Sequence, residues 1–116
     1  MKTRIKTNTM TKIALFVGLS ALASASSVYS PDKGVICDKK SGFCTDKEGI
    51  ALGLTQEYLG EKNAAIWEKR VSRKGFDSKS FTMSNGLSCD TRKKICKKSK
   101  WDDKADNHWT KILFGK

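Results

Sequence analysis

The chain has one histidine among its 116 residues, which rules out a multi-histidine metal site. His108 stands in a polar stretch beside Trp109, where a solvated surface ring is expected. There is no Gly-x-Ser-x-Gly elbow, no Walker phosphate loop and no His-Glu-x-x-His pair. A catalytic triad needs a nucleophile, a base and an orienting group, and no such set stands out. The Cys-x-x-Cys of a redox centre is missing too, and paired cysteines with six residues between them are wide for zinc ligands. Asp38, Asp46, Glu48, Glu57 and Asp90 could supply a carboxylate pair, but nothing selects two of them. No catalytic residue, metal ligand or cofactor is assigned, and the expected protein is not an enzyme.

A long apolar run is also lacking. The longest, residues 13–22, has ten residues, against about 20 for a membrane-spanning helix. It follows Lys2, Arg4, Lys6 and Lys12, with no acidic residue among them, and leads into Ala23-Ser24-Ala25. A basic start, a short apolar run and small residues are the three parts of a secretory signal peptide. Cleavage after Ala25 is expected, and Met10 offers a second possible start. No cysteine sits at the cleavage site, so lipid anchoring is not indicated. The expected mature domain is residues 26–116, periplasmic or secreted, without a transmembrane segment. The leader carries four of the 23 Lys and Arg and none of the 12 Asp and Glu, so the net charge falls from +11 to +7.

What is present is a doubled cysteine frame. Gly34-Val35-Ile36-Cys37-Asp38 with Cys44 is matched by Gly86-Leu87-Ser88-Cys89-Asp90 with Cys96. Export makes oxidation the expectation for all four. Four cysteines allow three connectivities. The repeated spacing and the polar turns between the cysteines favour Cys37–Cys44 and Cys89–Cys96, whereas bridges between the two frames would close longer loops. In a four-residue turn, Cys37 faces Cys44 and Asp38 faces Phe43, while Cys89 faces Cys96 and Asp90 faces Ile95. Asp38 and Asp90 are then placed to accept backbone N–H bonds and fix the turns. Closing each eight-residue loop contributes about 2.5 kcal/mol in the chain-entropy treatment.

Between the frames, Ile50, Leu54 and Tyr58 share a helical face, and Ala64, Ala65, Ile66, Trp67 and Val71 extend the apolar content. Gly49, Gly60 and Gly75 punctuate the stretch. Two short helices over 50–59 and 61–72, or one helix kinked at Gly60, are expected, with Tyr58 and Trp67 as core or boundary residues. Asn85-Gly86 between β-prone residues signals a hairpin that joins the second frame into a meander over 80–84, 87–90 and 95–98. A two-residue turn there sets Phe81 and Met83 on the opposite face from Leu87 and Cys89; a bulge, a longer turn or a sheet covered on both faces would remove the conflict. Residues 99–107 read as loop, and 109–115 as a short helix or edge strand. The expected fold is α+β: a small disulfide-stabilised domain with short helices between two disulfide-pinned hairpins, the second extended to three strands.

The ordered set Ser30-Pro31-Asp32-Lys33-Gly34-Val35-Ile36-Cys37-Asp38, Tyr58-Leu59-Gly60-Glu61-Lys62, Phe81 with Asn85-Gly86-Leu87-Ser88-Cys89-Asp90-Thr91, and Leu113-Phe114-Gly115 resembles the Fels-1 prophage protein-like family, also called the YcgJ family. The resemblance implies an exported protein of a Gram-negative bacterium. It implies no activity and no catalytic residue.

The best functional lead is positive charge. Arg92, Lys93, Lys94, Lys97, Lys98 and Lys100 cluster around the second hairpin, with Trp101 directly after them. Such a surface attracts phosphates, anionic lipids or acidic polysaccharides through a salt-sensitive field. Simple solubility and protection of a sheet edge are the plain alternative. A nucleic-acid-binding motif is absent. The sequence thus points to a non-catalytic module for anionic cell-envelope lipid or polysaccharide, with a periplasmic protein-interaction or inhibitor module as the other reading.

Overall fold

The computed structural model describes residues 27–115. The expected signal peptide lies outside the described residues. Among the described residues, seven strands and three helices follow in the order β1 (Val28–Asp32), β2 (Val35–Asp38), β3 (Phe43–Asp46), β4 (Gly49–Ile50), α1 (Leu52–Leu59), α2 (Glu61–Val71), β5 (Ser80–Thr82), β6 (Ser88–Asp90), β7 (Ile95–Lys97) and α3 (Asn107–Phe114). They form two antiparallel meanders, β1-β2-β3-β4 and β5-β6-β7. This is the expected small disulfide-stabilised α+β domain.

Both disulfides are local, Cys37–Cys44 and Cys89–Cys96, each with Cα atoms 4.0 Å apart. That close approach is typical of directly opposed, non-hydrogen-bonded residues on neighbouring strands. The registers are those the four-residue turns imply: Cys37 faces Cys44 and Asp38 faces Phe43, Cys89 faces Cys96 and Asp90 faces Ile95.

The hairpin at Asn85-Gly86 turns through three residues rather than two. Thr82 pairs with Ser88 and Phe81 with Cys89, and the Met83 amide donates to the Leu87 carbonyl at 2.8 Å. The extra residue is accommodated by Gly86 at φ +93°, a left-handed conformation that suits a three-residue loop. Phe81, Met83, Leu87 and Cys89 then fall on one buried face, which removes the phase conflict.

Two local expectations shift, and the helix-or-strand alternative at the C-terminus is resolved. The first hairpin belongs to a four-stranded sheet, because β1 pairs along β2 and β4 along β3. Gly49, expected to open a helix, lies in β4, and α1 starts only at Leu52. The C-terminal segment is a helix that begins at Asn107, capped by Asp106, whose side chain accepts the Trp109 amide at 3.1 Å.

The two halves repeat beyond the cysteine frame. Tyr29 opposite Cys37 is matched by Phe81 opposite Cys89. In the first half the Ala51 amide donates to the Cys44 carbonyl, and the Thr55 hydroxyl accepts the Cys44 amide at 2.9 Å. In the second the Asp106 amide donates to the Cys96 carbonyl, and the Thr110 hydroxyl accepts the Cys96 amide at 2.9 Å. Both helices run eight residues, and both end at a glycine, Gly60 and Gly115. The fold is one unit of meander plus helix used twice, with β4 added to the first copy ahead of α1, and α2 and the connection to β5 between the copies.

The copies stack front to back. In the first, α1 covers the disulfide face: Tyr29, Val35, Cys37 and Cys44 pack with Leu54, Tyr58 and Leu59. The opposite face carries Val28, Ile36 and Phe43 into the main core, where they meet Phe81, Met83, Leu87, Cys89, Cys96 and Leu113 of the second copy. Trp67 of α2 closes this core edge-on against Phe43, with ring centres 4.7 Å apart. Its indole N–H donates to the Ser41 carbonyl at 3.0 Å. Thus the first sheet is covered on both faces, and the second on one.

Candidate functional site

The open face of the second sheet follows from strand alternation. Ser80 and Thr82 on β5, Ser88 and Asp90 on β6, and Ile95 and Lys97 on β7 point away from Cys89 and Cys96. Their counterparts in the first copy include Val28, Ile36, Asp38 and Phe43, all buried. A face that is apolar and covered in one copy is polar and uncovered in the other.

On this face lies a shallow depression of about 140 Å³. It is lined by Ser80, Ser88, Cys89, Asp90 and Ile95 together with Lys93, Lys97 and Lys100. The Ser88 hydroxyl is 2.8 Å from that of Thr82, and the Asp90 carboxylate accepts the Arg92 amide at 2.9 Å. The Ser88 hydroxyl also donates to the Gly86 carbonyl at 3.3 Å, so the three lysines are the groups here that suit a phosphate or carboxylate oxygen, in an open, wet site. The six basic residues of the sequence cluster do not act together. Arg92 makes two 2.9 Å hydrogen bonds to Asp77. That guanidinium, helped by the Lys79 amide, holds the Asp77 carboxyl below its ordinary range, and Asp77 raises the Arg92 pKa in turn. Arg92 is therefore a brace, fixing the turn to the segment ahead of β5. The Thr91 amide and hydroxyl, each 2.9 Å from the Lys79 carbonyl, do the same.

Lys94 takes a left-handed conformation at φ +57° and lines a different depression, with Lys47, Glu48 and Phe114. Lys98 is exposed outside the Ser80–Ser88 depression. Of the cluster, Lys93, Lys97 and Lys100 share one site. Ser80 and Ser88 are the members that charge counting misses; the polar phase of Ser80-x-Thr82 and Ser88-x-Asp90 is the signal that could have found them. Next to Lys100, whose ammonium lies 4.9 Å from the ring centre, Trp101 is 81% exposed.

Asp38 and Asp90, equivalent in sequence, differ in setting. Both accept the amide two residues on, Lys40 at 3.1 Å and Arg92 at 2.9 Å, as the turn chemistry required. Asp38 is also fully buried and accepts the Ser84 amide at 2.6 Å and the Ser84 hydroxyl at 2.8 Å. Burial pushes its pKa up, but hydrogen bonds from Ser41 and Ser84 outweigh this and leave it below the ordinary value. This carboxylate latches the two copies together.

A second surface feature lies between the sheets: a largely apolar groove of about 210 Å³ lined by Phe43, Ile50, Trp67, Phe76 and Phe81, with Asp77, Ser80 and Thr82 as its polar members. Phe76 remains 38% exposed at its rim. Among the described residues, no three His, Cys, Asp or Glu side chains are grouped to hold a metal ion, and no helix is long and apolar enough to cross a membrane. His108 is exposed near the start of α3, its ring 5.2 Å from that of Trp109.

Fold and site together define a small, disulfide-stabilised α+β protein of duplicated meander-and-helix units, with one sheet face left open and basic. The chain matches the YcgJ protein family over residues 28–114, and it belongs to that family. It is 34% identical over 107 residues to the uncharacterized protein YcgJ of Escherichia coli (strain K12), a match that covers 86% of this chain and 84% of the relative. No solved structure matches the chain.

Proposed function

We propose that this protein is a non-catalytic binding module, exported to the periplasm or beyond, that takes an anionic component of the cell envelope on the open face of its second sheet. One observation carries the reading. The duplication provides a face that the first copy uses for packing; in the second copy the same face is polar, uncovered and ringed by Lys93, Lys97 and Lys100. Two disulfides in a small chain fit an oxidising compartment, which supports export. The ligand chemistry is a phosphate or carboxylate, as lipid headgroups and acidic polysaccharides both present.

The test is retention on lipopolysaccharide or anionic vesicles across a salt series, since the Debye length shrinks from about 10 Å at 0.1 M to about 3 Å at 1 M. The triple variant K93S/K97S/K100S should lose most of the binding. A charge-matched control on α2, K62S/K69S/R70S, should keep it. Equal losses in both would reduce the effect to net charge, and salt-insensitive binding would refute the site.

The apolar groove favours a second reading, a contact for another periplasmic protein through Trp67 and Phe76. A pull-down from periplasmic extract separates the two. A specific partner that is lost with F76S but retained with the lysine variant would support it.

A further inference from the structure

Trp101 has no structural task that explains it. It is 81% exposed, against 41% for Ile66 and 38% for Phe76, the other exposed large apolar side chains among the described residues. Its backbone is held in a short turn, the Trp101 amide 3.3 Å from the Ser99 hydroxyl and the Asp102 amide 3.1 Å from the Ser99 carbonyl. The indole therefore stands on a fixed loop beside the depression to which Lys100 belongs. Of its acidic neighbours, Asp102 turns its carboxylate back to the Lys104 amide at 3.1 Å, while Asp103 is exposed. The attraction for an anion thus comes from the lysines of the sheet and its turn, and Trp101 adds an apolar contact at their border.

We propose that Trp101 is a membrane anchor: the protein seats on an anionic lipid surface with this indole in the headgroup layer while Lys93, Lys97 and Lys100 meet lipid phosphates. This rests on the binding-face reading above and narrows the ligand from any polyanion to a bilayer. A free phosphate offers no apolar partner for the ring, and a polysaccharide offers only the C–H faces of single sugars, which the dextran sulfate arm of the test distinguishes from a continuous apolar layer. The interface of a bilayer does, and tryptophan is enriched there because its body is apolar and its N–H polar. The charges supply attraction that salt screens, and the ring supplies attraction that it does not.

The experiment uses the oxidised protein in the processed form that the cell accumulates, with its N-terminus read by mass spectrometry. The parent, W101S, W101F and K93S/K97S/K100S are titrated with phosphatidylglycerol vesicles, phosphatidylcholine vesicles and dextran sulfate. Tryptophan emission and sedimentation are the readouts. In the parent, phosphatidylglycerol should shift the emission to the blue, and W101S should lose the shift and bind about tenfold more weakly. W101F should keep most of the affinity, and dextran sulfate should bind W101S and parent within about twofold of each other. The lipid proposal is overturned if W101S binds phosphatidylglycerol vesicles as the parent does, or if the blue shift survives in W101S. If the lysine variant instead binds every probe like the parent, the basic-face reading falls and the anchor with it. Unchanged far-ultraviolet circular dichroism of W101S and W101F excludes loss of fold as the cause.

Discussion

Replacing Asp38 by alanine tests the duplicated architecture most directly. The side chain has no solvent exposure and accepts hydrogen bonds from the Lys40 amide (3.1 Å), the Ser84 amide (2.6 Å) and the Ser84 hydroxyl (2.8 Å), with Ser41 adding to them. Hydrogen bonds to a charged group contribute about 1.5–3 kcal/mol each. Lys40 and Ser84 are both exposed and can rehydrate in part, so the loss is smaller than the sum of these bonds. Asp38→Ala should therefore cost about 3–5 kcal/mol, a large share of the stability of a small domain. Asp90→Ala removes the equivalent residue of the other copy, where the carboxylate is partly exposed and accepts one local bond from the Arg92 amide. That change should cost only about 0.5–1 kcal/mol.

The assay is urea unfolding of both variants with the disulfides intact, with Asp38→Asn, which keeps one acceptor oxygen, as an intermediate case. Equal costs for Asp38→Ala and Asp90→Ala, within about 0.5 kcal/mol, would refute the latch. The pH dependence adds a second check. The Asp38 pKa is lowered below the ordinary 3.8, so its contribution is fully present above the unfolded value and is lost as pH falls through the lower folded one. From pH 5 downward the parent should lose stability more steeply than Asp38→Asn.

Three further predictions concern the turns and helix junctions. Lys94 occupies a left-handed position, φ +57°, that Gly42 fills in the other copy, so Lys94→Gly should raise stability by about 0.5–1 kcal/mol in thermal unfolding. Gly42→Ala should cost more than about 2 kcal/mol, because φ is +86° and a Cβ there would lie 2.7 Å from the Asn63 side-chain oxygen. Thr55→Val should cost about 1–3 kcal/mol by leaving the buried Cys44 amide without its acceptor, and Thr110→Val a similar or smaller amount at Cys96, both read from denaturant midpoints.

Much of the fold was legible because it is local. Cysteine pairing and hairpin register follow from six-residue spacings closed by polar turns, and both copies obey them. The helix break at Gly60 and the second meander were readable for the same reason. β1 was harder, because Val28–Asp32 is short, carries Pro31 and shows no strong alternation; only pairing along β2 makes it a strand. Gly49 reads as helix punctuation until β3 is there to pair with it. The repeated threonines were also visible in principle. Thr55 and Thr110 stand five residues before Gly60 and Gly115, but the connections from cysteine to helix differ in length between the copies, which hides the match.

The candidate site was legible only as a count of charges. Six basic residues in a short stretch announce a positive region, but the sequence does not say that Arg92 is taken by Asp77, some distance upstream, or that the backbone at Lys94 sends it toward Phe114. Nor does it say that Ser80 and Ser88 share a depression with Lys97. Those relations depend on which strands lie side by side.

By itself, then, the sequence determined the parts: two disulfide-closed turns, short helices between them and a strongly basic second hairpin. Each is set by interactions within about a dozen residues. The tertiary structure alone decided which copy of the unit is buried on both faces and which is open on one. Front-to-back stacking sends the Asp38 face into the core and leaves the Asp90 face to solvent. The same Cys-Asp frame thereby becomes a latch in one copy and the edge of a binding face in the other, because burial is a property of the packed arrangement and not of the segment.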